Sequence, residues 1–220
     1  GTAHNLWGLK RQMQQRPTAD ISRRTFLKQG AWTIAAVSLS IGTLGSAADG
    51  ETAGDCVTTG DILGPFYRRN APFRNDLTGD GVKGRKLVVK GRVIGSDCKT
   101  VVKDALVDVW QCDDNGEYDN RSNNFRLRGR QRVDDSGEYA FTTIMPGRYL
   151  NGRQFRPAHI HFRVTGAGHR ELISQLYFAG DPHIDDDPWA SSKRATHRVL
   201  AVKADADGID SVVFDIHLEA

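Results

Sequence analysis

Short runs in which apolar and polar side chains tend to alternate recur from Lys86 to the end of the chain. A period of two is that of a half-buried β-strand, and helical periodicity is scarce between the runs. The pattern predicts seven strands, at residues 86–94, 105–111, 138–144, 158–164, 172–178, 198–202 and 212–218.

Turn-forming residues separate these runs, for example Gly95-Ser96-Asp97 and Pro146-Gly147. Short strands, frequent turns and little helix predict an all-β fold, a two-sheet antiparallel β-sandwich. Two long connections, at 116–136 and 147–157, interrupt the pattern. Function on a rigid β scaffold is usually carried by such loops, so we expect the chemistry beside them.

Before the first strand, Gly64-Pro65, Ala71-Pro72 and Gly79-Asp80-Gly81 each break regular structure. We therefore predict an extended arm over residues 48–84 and a β-sandwich domain over 85–220. The chain has 220 residues, 39% hydrophobic and 26% charged, which suits one soluble globular domain with appendages.

Residues 1–47 have the order of an export signal. The segment SRRTFLK, with Arg23 and Arg24, precedes an uncharged, moderately apolar stretch, and Gly45-Ser46-Ala47 offers a signal-peptidase site. The paired arginines match a twin-arginine signal, which implies that the folded protein is exported to the periplasm or secreted. A retained membrane anchor is the alternative, but Ser, Thr and Gly make the stretch a weak span. No stable membrane insertion is expected after cleavage.

The charge distribution argues against nucleic acid as a partner. Residues 1–47 hold six of the 30 basic side chains and one of the 27 acidic ones, which leaves 24 basic and 26 acidic residues in 48–220. A domain with a formal charge of −2 lacks the basic surface that nucleic-acid binders use.

Three cysteines lie beyond the leader. Cys98 and Cys112 flank a predicted strand connection, and an oxidising periplasm would let them pair and leave Cys56 free. Two buried thiols are the alternative. None of the three has the CxxC spacing of a zinc site.

His159 and His161 lie two residues apart in a predicted strand. Both imidazoles therefore share one face of the strand and can chelate a metal. An H-x-H pair also arises by chance or as a hydrogen-bonded pair on a wet face. Tyr118 and Tyr149 strengthen the metal reading because each follows a glycine turn at the edge of an element, whereas a core tyrosine is expected inside a strand, as at Tyr139.

Residues 61–182 resemble the intradiol ring-cleavage dioxygenases, the family of catechol 1,2-dioxygenase and protocatechuate 3,4-dioxygenase. The matching stretches occur in the family's order: GPFY at 64–67, ALVDVWQCDDNGEY at 105–118, PGRY at 146–149, RPAHIHF at 156–162 and QLYFAGDP at 175–182. The resemblance implies a non-haem iron(III) enzyme that inserts both atoms of O₂ into a catechol-type ring and gives a muconate-type diacid.

By the same resemblance, four residues hold the iron: Tyr118, Tyr149, His159 and His161. A trivalent ion prefers anionic oxygen donors, and coordination ionises a phenol whose free pKa is about 10. The resemblance assigns Tyr149 a second role, because the family's axial tyrosine leaves the metal and accepts a proton when the catechol binds.

The resemblance also names residues around the substrate. Arg156 would stabilise carbanion character on the bound ring, Gln175 would border the oxygen side, and Gly64 and Pro65 would border the substrate pocket. Without the resemblance, Arg156 reads as a surface ion-pair partner and Gln175 as a strand-edge amide.

Two alternative functions remain to be considered, and the sequence counts against the first of them. A cupin-like iron(II) site needs a carboxylate about four residues after His161, and none occurs before Glu171. A catalytically inactive, exported β-sandwich binding protein of the same fold is the second alternative. The arginine-rich segment 120–132 either faces a substrate carboxylate or is solvated, and we expect it to be solvated. The sequence does not determine which substituted catechol is the substrate. It does not determine the oligomeric state either, and a homo-oligomer is one option.

Overall fold

A computed structural model of the chain describes residues 56–79 and 81–220. Their regular structure consists of β-strands and one 3₁₀ helix, Lys193–Arg198. Within these ranges, no helix is both long and apolar enough to span a membrane. The predicted signal at 1–47, with Arg23 and Arg24, lies outside the described residues.

Two five-stranded sheets and a short hairpin form the domain. The first sheet contains β1 (Lys86–Gly95), β4 (Glu138–Ile144), β10 (Lys203–Ala204), β11 (Asp210–Val213) and β12 (Ile216–Leu218). The second sheet has the order β3 (Arg128–Arg132), β2 (Leu106–Trp110), β7 (His159–Thr165), β8 (Leu172–Phe178) and β9 (Val199–Leu200). The hairpin pairs β5 (Tyr149–Asn151) with β6 (Gln154–Arg156).

The core lies between the two sheets. Side chains of β1, β2, β4, β7, β8, β11 and β12 enter one continuous apolar cluster, to which β1 contributes Val89 and β7 contributes Phe162. The ring of Phe162 meets that of Phe214 at a centroid distance of 5.1 Å. The buried face of the strands is the one that the alternation of apolar residues predicted. The all-β, two-sheet architecture is confirmed.

The sequence predicted an antiparallel sandwich, but some pairs of strands are parallel. Strand β1 pairs antiparallel with β4 but parallel with β11 and β12, and β8 pairs parallel with β9. These parallel partners lie far apart in the sequence or follow a crossover, so no tight hairpin fixes their direction.

The predicted strand 212–218 is two strands with a break at Phe214-Asp215. The break fits against Gly91 of β1, where a Cβ atom would lie 2.0 Å from the carbonyl oxygen of Phe214. The Asp215 carboxylate accepts a hydrogen bond of 2.9 Å from the amide of Arg92 in place of a backbone partner. Hydrophobic alternation continues across this break, which is why the sequence predicted a single strand.

Both long connections contain strands that the sequence analysis missed. Strand β3 lies in the first and the hairpin β5–β6 in the second. The segment RGRQR of β3 has no apolar alternation, so its period gave no signal. The expectation that 120–132 is solvated is wrong at Arg128, whose side chain is fully buried.

The predicted cysteine pairing is also wrong. Cys56 bonds to Cys98, with a Cα–Cα distance of 6.0 Å, and ties the start of the described arm to the turn after β1. Cys112 is a buried free thiol that donates a hydrogen bond to the carbonyl oxygen of Gly147. Cys112 follows β2, whose inward side chains enter the core, and the spacing of 98 and 112 in sequence does not bring the two sulfurs together.

The arm crosses both sheets before it enters β1. Phe73 forms an isolated bridge with Arg130 of β3, and Asp76 forms one with Thr142 of β4. Leu77 is buried in the core. The arm therefore runs between the edge strands β3 and β4 of the two sheets, and its earlier residues reach the outer face of β7.

Candidate active site

The two histidines of β7 project from the face opposite to Ile160 and Phe162, as the period of two predicts. Both are buried although they face away from the core, because the arm and the loops cover them. The phenolic oxygen of Tyr118 lies 3.3 Å from Nε2 of His159 and 3.1 Å from Nε2 of His161. Three donor atoms from two distant parts of the sequence thus converge at one point.

Hydrogen bonding sets the tautomer of His159. Its Nδ1 lies 2.6 Å from the carbonyl oxygen of Pro157, an acceptor, so Nδ1 carries the proton and Nε2 presents a lone pair to the site. His161 is held by stacking instead, with its ring 4.7 Å from Trp110 and nearly parallel to it. Its Nδ1 has no hydrogen-bond partner within the part of the chain described.

Tyr149 completes the group from the start of β5. Its ring centroid lies 5.8 Å from those of Tyr118 and His159. The two tyrosines come from turns that pack against each other: the amide of Gly147 donates to the carbonyl oxygen of Asp113 at 2.8 Å. The structure therefore brings together all four residues for which the sequence suggested a metal.

The electrostatics suit a cation. Burial raises the pKa of Tyr118 well above its ordinary value, while burial and the charge of Arg156 lower the pKa of His159 to about 4. Burial also lowers the pKa of His161. Near neutral pH the imidazoles are therefore neutral donors, and a phenolate at Tyr118 requires a nearby positive charge. Among residues 56–79 and 81–220, no group of three or more His, Cys, Asp or Glu side chains is placed so that it could hold a metal ion.

Arg156 lies beside the four residues and is buried. Its Nε and Nη2 donate to Asp187 at 2.7 and 3.2 Å, and Nη2 also donates to the hydroxyl of Tyr177 at 3.0 Å. The guanidinium lies over the ring of Trp189, 4.5 Å from its centroid. No periodicity marked Asp187 or Trp189, which lie in the connection after β8, and Tyr177 lies within β8 but carried no sign of its contact with Arg156.

Gln175 pairs in register with His161, and its side chain holds the arm. Its Nε2 donates to the carbonyl oxygen of Ile62 at 2.8 Å, and its Oε1 accepts from Tyr177 at 3.1 Å. The alternative of a surface ion-pair partner is wrong for Arg156, which is buried. Gln175, for which the alternative was a strand-edge amide, is also buried, in a strand that lies between β7 and β9.

Gly64 closes the site from the arm. Its backbone has a φ of +71°, and a Cβ atom there would lie 3.3 Å from Cε1 of His161. Pro65 follows as an exposed residue at the rim. Its neighbour Phe66 stacks on Tyr118 with a centroid distance of 4.2 Å. The predicted pocket residues thus lie next to the predicted ligands.

The other histidines of the described residues, His169, His183, His197 and His217, lie outside this group. His197, for example, accepts a hydrogen bond of 3.2 Å from the amide of Thr59, and His169 lies 2.9 Å from the carbonyl oxygen of Ala167. His197 thus contacts the arm, and His169 lies at the surface.

Comparison with known proteins gives a consistent family. A family model described as "Dioxygenase" matches residues 62–220. The chain is 34% identical over 179 residues to a chlorocatechol 1,2-dioxygenase of Rhodococcus opacus, covering 69% of this chain and 67% of that protein. It is 36% identical over 146 residues to catechol 1,2-dioxygenase 2 of Acinetobacter lwoffii, covering 57% and 53%. The chain thus spans about half to two thirds of the length of these curated relatives.

Solved structures agree with this assignment. The dioxygenase domain of a dioxygenase–carbohydrate-binding fusion from Streptomyces sp. SirexAA-E aligns with a TM-score of 0.64 and 29% identity, covering 74% of this chain and 99% of that one. A hydroxyquinol 1,2-dioxygenase from Pseudomonas putida DLL-E4 aligns with a TM-score of 0.65 and 27% identity, covering 75% and 67%.

Proposed function

The chain belongs to the intradiol ring-cleavage dioxygenases, and on that premise we propose that it inserts both atoms of O₂ into a catechol-type ring to give a muconate-type diacid. The observation that carries the proposal is the convergence of the Tyr118 oxygen with Nε2 of His159 and of His161, at 3.3 and 3.1 Å. An inactive binding protein of the same fold would have no reason to keep this donor set buried.

The residues present fit a non-haem iron(III). Tyr118, Tyr149, His159 and His161 would hold it, and two phenolates with two neutral imidazoles nearly balance its charge. When bound, the iron supplies the Lewis-acid charge that ionises the catechol and makes its ring reactive towards O₂. In this arrangement three of the four residues are fixed before iron binds. The two imidazoles are buried on β7, and the Tyr118 ring is covered by Phe66.

Tyr149 acts as the proton acceptor for one substrate hydroxyl. It begins the hairpin β5–β6, in which Leu150 and Phe155 are 56% and 45% exposed, so the apolar side chains of the hairpin contribute little packing around Tyr149. A phenolate at the edge of the site can swing from one position to another and carry a proton away. Tyr118 lacks this freedom because Phe66 stacks on its ring.

Arg156 provides fixed positive charge beside the bound ring. Asp187 and Tyr177 occupy Nε and Nη2, and among the described residues Nη1 has no hydrogen-bond partner. The fork is therefore oriented with one nitrogen free to stabilise negative charge on the substrate as the ring is attacked. Gln175 and Gly64 hold the arm over the site and limit the entry of water.

We also propose export by the twin-arginine route, with residues 1–47 as the signal. The Cys56–Cys98 disulfide supports an oxidising compartment, since such bonds are rare in the cytosol of mesophiles. Replacement of Arg23 and Arg24 by lysine should leave the protein in the cytoplasm. Mature protein in the periplasm of the double variant would contradict this route.

The activity is tested with a panel of substituted catechols. We expect about one iron per chain, a visible tyrosinate-to-iron band, and oxygen uptake with one product diacid per O₂ consumed. A protein that binds iron and shows the band, but consumes no oxygen with any catechol, would instead be the exported binding protein. Arg156→Lys is the informative variant, because it keeps the charge and loses the fork, and it should lower kcat more than it changes iron content.

A further inference from the structure

We propose that Arg128 is the positioning residue that immobilises Tyr118, so that the two phenolic ligands differ in mobility before any substrate arrives. The inference rests on the proposed function only for its consequence, which is that Tyr118 stays in place while Tyr149 moves. The clamp itself is a property of the folded chain.

The guanidinium of Arg128 bonds to both residues that follow Tyr118. Its Nε donates to the carbonyl oxygen of Asp119 at 3.0 Å, and its Nη2 donates to Oδ1 of Asn120 at 3.3 Å. These bonds fix the backbone immediately after the tyrosine. The position of the Tyr118 ring depends directly on that backbone.

The third nitrogen of the same side chain reaches the arm. Nη1 of Arg128 donates to the carbonyl oxygen of Phe66 at 2.6 Å. The Phe66 ring stacks on Tyr118 with a centroid distance of 4.2 Å and an interplanar angle of 17°. One planar fork therefore holds both the chain that carries Tyr118 and the ring that covers it, a geometry that lysine cannot reproduce.

The burial of the charged Arg128 side chain costs free energy of desolvation. The side chain is fully buried and forms no ion pair among the described residues. Burial lowers its pKa to about 10, still well above neutral, so the fork remains charged. A buried charge that is bonded only to neutral acceptors is disfavoured, and the hydrogen bonds to it must be well made to offset that cost.

The carboxylate of Asp119 forms no hydrogen bond with Arg128, although its negative charge raises the pKa of Arg128. Its oxygens accept from the amides of Arg121, Ser122 and Arg126 and so close the loop after Tyr118 into a compact turn. Arg128 anchors this preformed turn to the arm. Tyr149 is held differently. Its hairpin carries exposed residues on both strands, and the Arg148 side chain before it, itself exposed, donates from Nε to Asp181 at 3.0 Å.

The test compares Arg128→Lys with Arg130→Lys in the metal-free protein. Arg130 is the matched control, because it lies two residues further along β3 and also donates to an arm carbonyl, that of Ala71, without touching the Tyr118 loop. Amide hydrogen exchange is measured over residues 118–122 and over the core strand β4. We expect exchange at 118–122 to become at least about tenfold faster in Arg128→Lys, with β4 and the control variant unchanged.

Iron binding provides a second readout. In a competition with a chelator, Arg128→Lys should bind iron at least about tenfold more weakly than the wild type, and Arg130→Lys should not. Unchanged exchange at 118–122 in a folded Arg128→Lys protein overturns the inference, as does an equal increase in Arg130→Lys. If Arg128→Lys does not fold, Asn120→Ala is used instead, because it removes one acceptor of the same clamp. This variant should raise exchange at 118–122 about threefold. Unchanged exchange at 118–122 in Asn120→Ala would also overturn the inference.

The two proposals can fail separately. If the wild-type protein binds no iron, the proposed function fails, but exchange in the metal-free variants still decides the role of Arg128. If the wild type binds iron and cleaves catechols while the exchange data show no effect, only the clamp fails.

Discussion

Gly147 lies so close to Gly116 that a Cβ atom on Gly147 would stand 2.7 Å from the amide nitrogen of Gly116 and 2.5 Å from the carbonyl oxygen of Asp114. Two residues after each glycine comes a tyrosine of the candidate site. The contact of the two turns at these glycines, which have no side chains, therefore brings Tyr118 and Tyr149 close together.

Replacement of Gly147 by alanine should separate these turns. The backbone of Gly147 is outside the left-handed region, so the steric clash alone is expected to destabilise the fold, by about 1–3 kcal/mol. Iron content per chain should fall with it, because the clash displaces the turn that leads to Tyr118 and moves that phenol away from the two imidazoles. Gly79→Ala is the control, since a Cβ atom there meets nothing within 4 Å. Equal stability and iron content in both variants would show that the contact is not needed.

Replacement of Tyr149 by phenylalanine should leave iron binding largely intact and slow turnover. The remaining three donors still converge, whereas loss of a positioned proton acceptor typically costs about 10² to 10⁴ in rate. His159→Ala should instead lower iron occupancy, because His161 loses its partner in the chelate. Iron per chain, the visible spectrum and oxygen uptake distinguish these outcomes.

The control for Tyr149 is Tyr139→Phe. Tyr139 is buried in the core and donates to the carbonyl oxygen of Phe214 at 2.6 Å, so its loss should cost about 1–2 kcal/mol of unfolding free energy and leave iron and turnover unchanged. Wild-type turnover and full colour in Tyr149→Phe would make Tyr149 an ordinary structural tyrosine.

The disulfide assignment predicts the thiol chemistry of the protein. Mass analysis without reductant should find Cys56 linked to Cys98 and Cys112 free. Burial raises the pKa of Cys112 to about 12, so alkylation of the native protein should be slow and should become fast on unfolding. The bond spans a sequence separation of 42, and its removal by Cys98→Ser should cost up to about 4 kcal/mol. A Cys98–Cys112 linkage would contradict the structure.

Asp108 should make stability depend on pH. Burial raises the pKa of this carboxyl to about 6, and the Tyr67 hydroxyl, which donates to it at 3.0 Å, and nearby arginines only partly offset that effect. A folded-state pKa above the unfolded value of about 3.9 means that the folded state holds the proton more tightly. The contribution of Asp108 to stability is thus present below about pH 4 and declines as pH rises to about 6.

Asp108→Asn isolates this contribution, because other carboxylates titrate in both proteins. In metal-free protein the stability of the variant relative to the wild type should increase between about pH 4 and pH 6, by an amount on the order of 3 kcal/mol. Denaturant unfolding at several pH values measures it. A difference that does not change with pH would contradict the buried, partly protonated Asp108.

The pattern of the chain determined much of the fold and of the site. The period of two in 158–164 placed His159 and His161 on one face, because successive side chains of a strand must alternate. Strands β4 and β8 begin and end where the pattern predicted. The motifs of the family identified four donors that the structure brings together.

Only the tertiary structure decided what alternation does not encode. Strand β3 has the sequence RGRQR, with no apolar period, and is a strand because β2 supplies its hydrogen bonds. The burial of Arg128 and the pairing of Cys56 with Cys98 likewise depend on where the arm crosses the sheets. These contacts join residues far apart in the chain, and no local rule specifies them.

Two hexapeptides show the division most directly. DDNGEY ends at Tyr118 and DDSGEY ends at Tyr139, and both form the same turn. In each turn the first aspartate accepts from the amides two and four residues later. The sequence determined the turns, because the aspartate carboxylate accepts hydrogen bonds from the turn amides and glycine tolerates the positive φ of the turn. The packing decided the function, because the second tyrosine enters β4 and binds the carbonyl of Phe214 in the core, while the first meets two imidazoles on the outer face of β7.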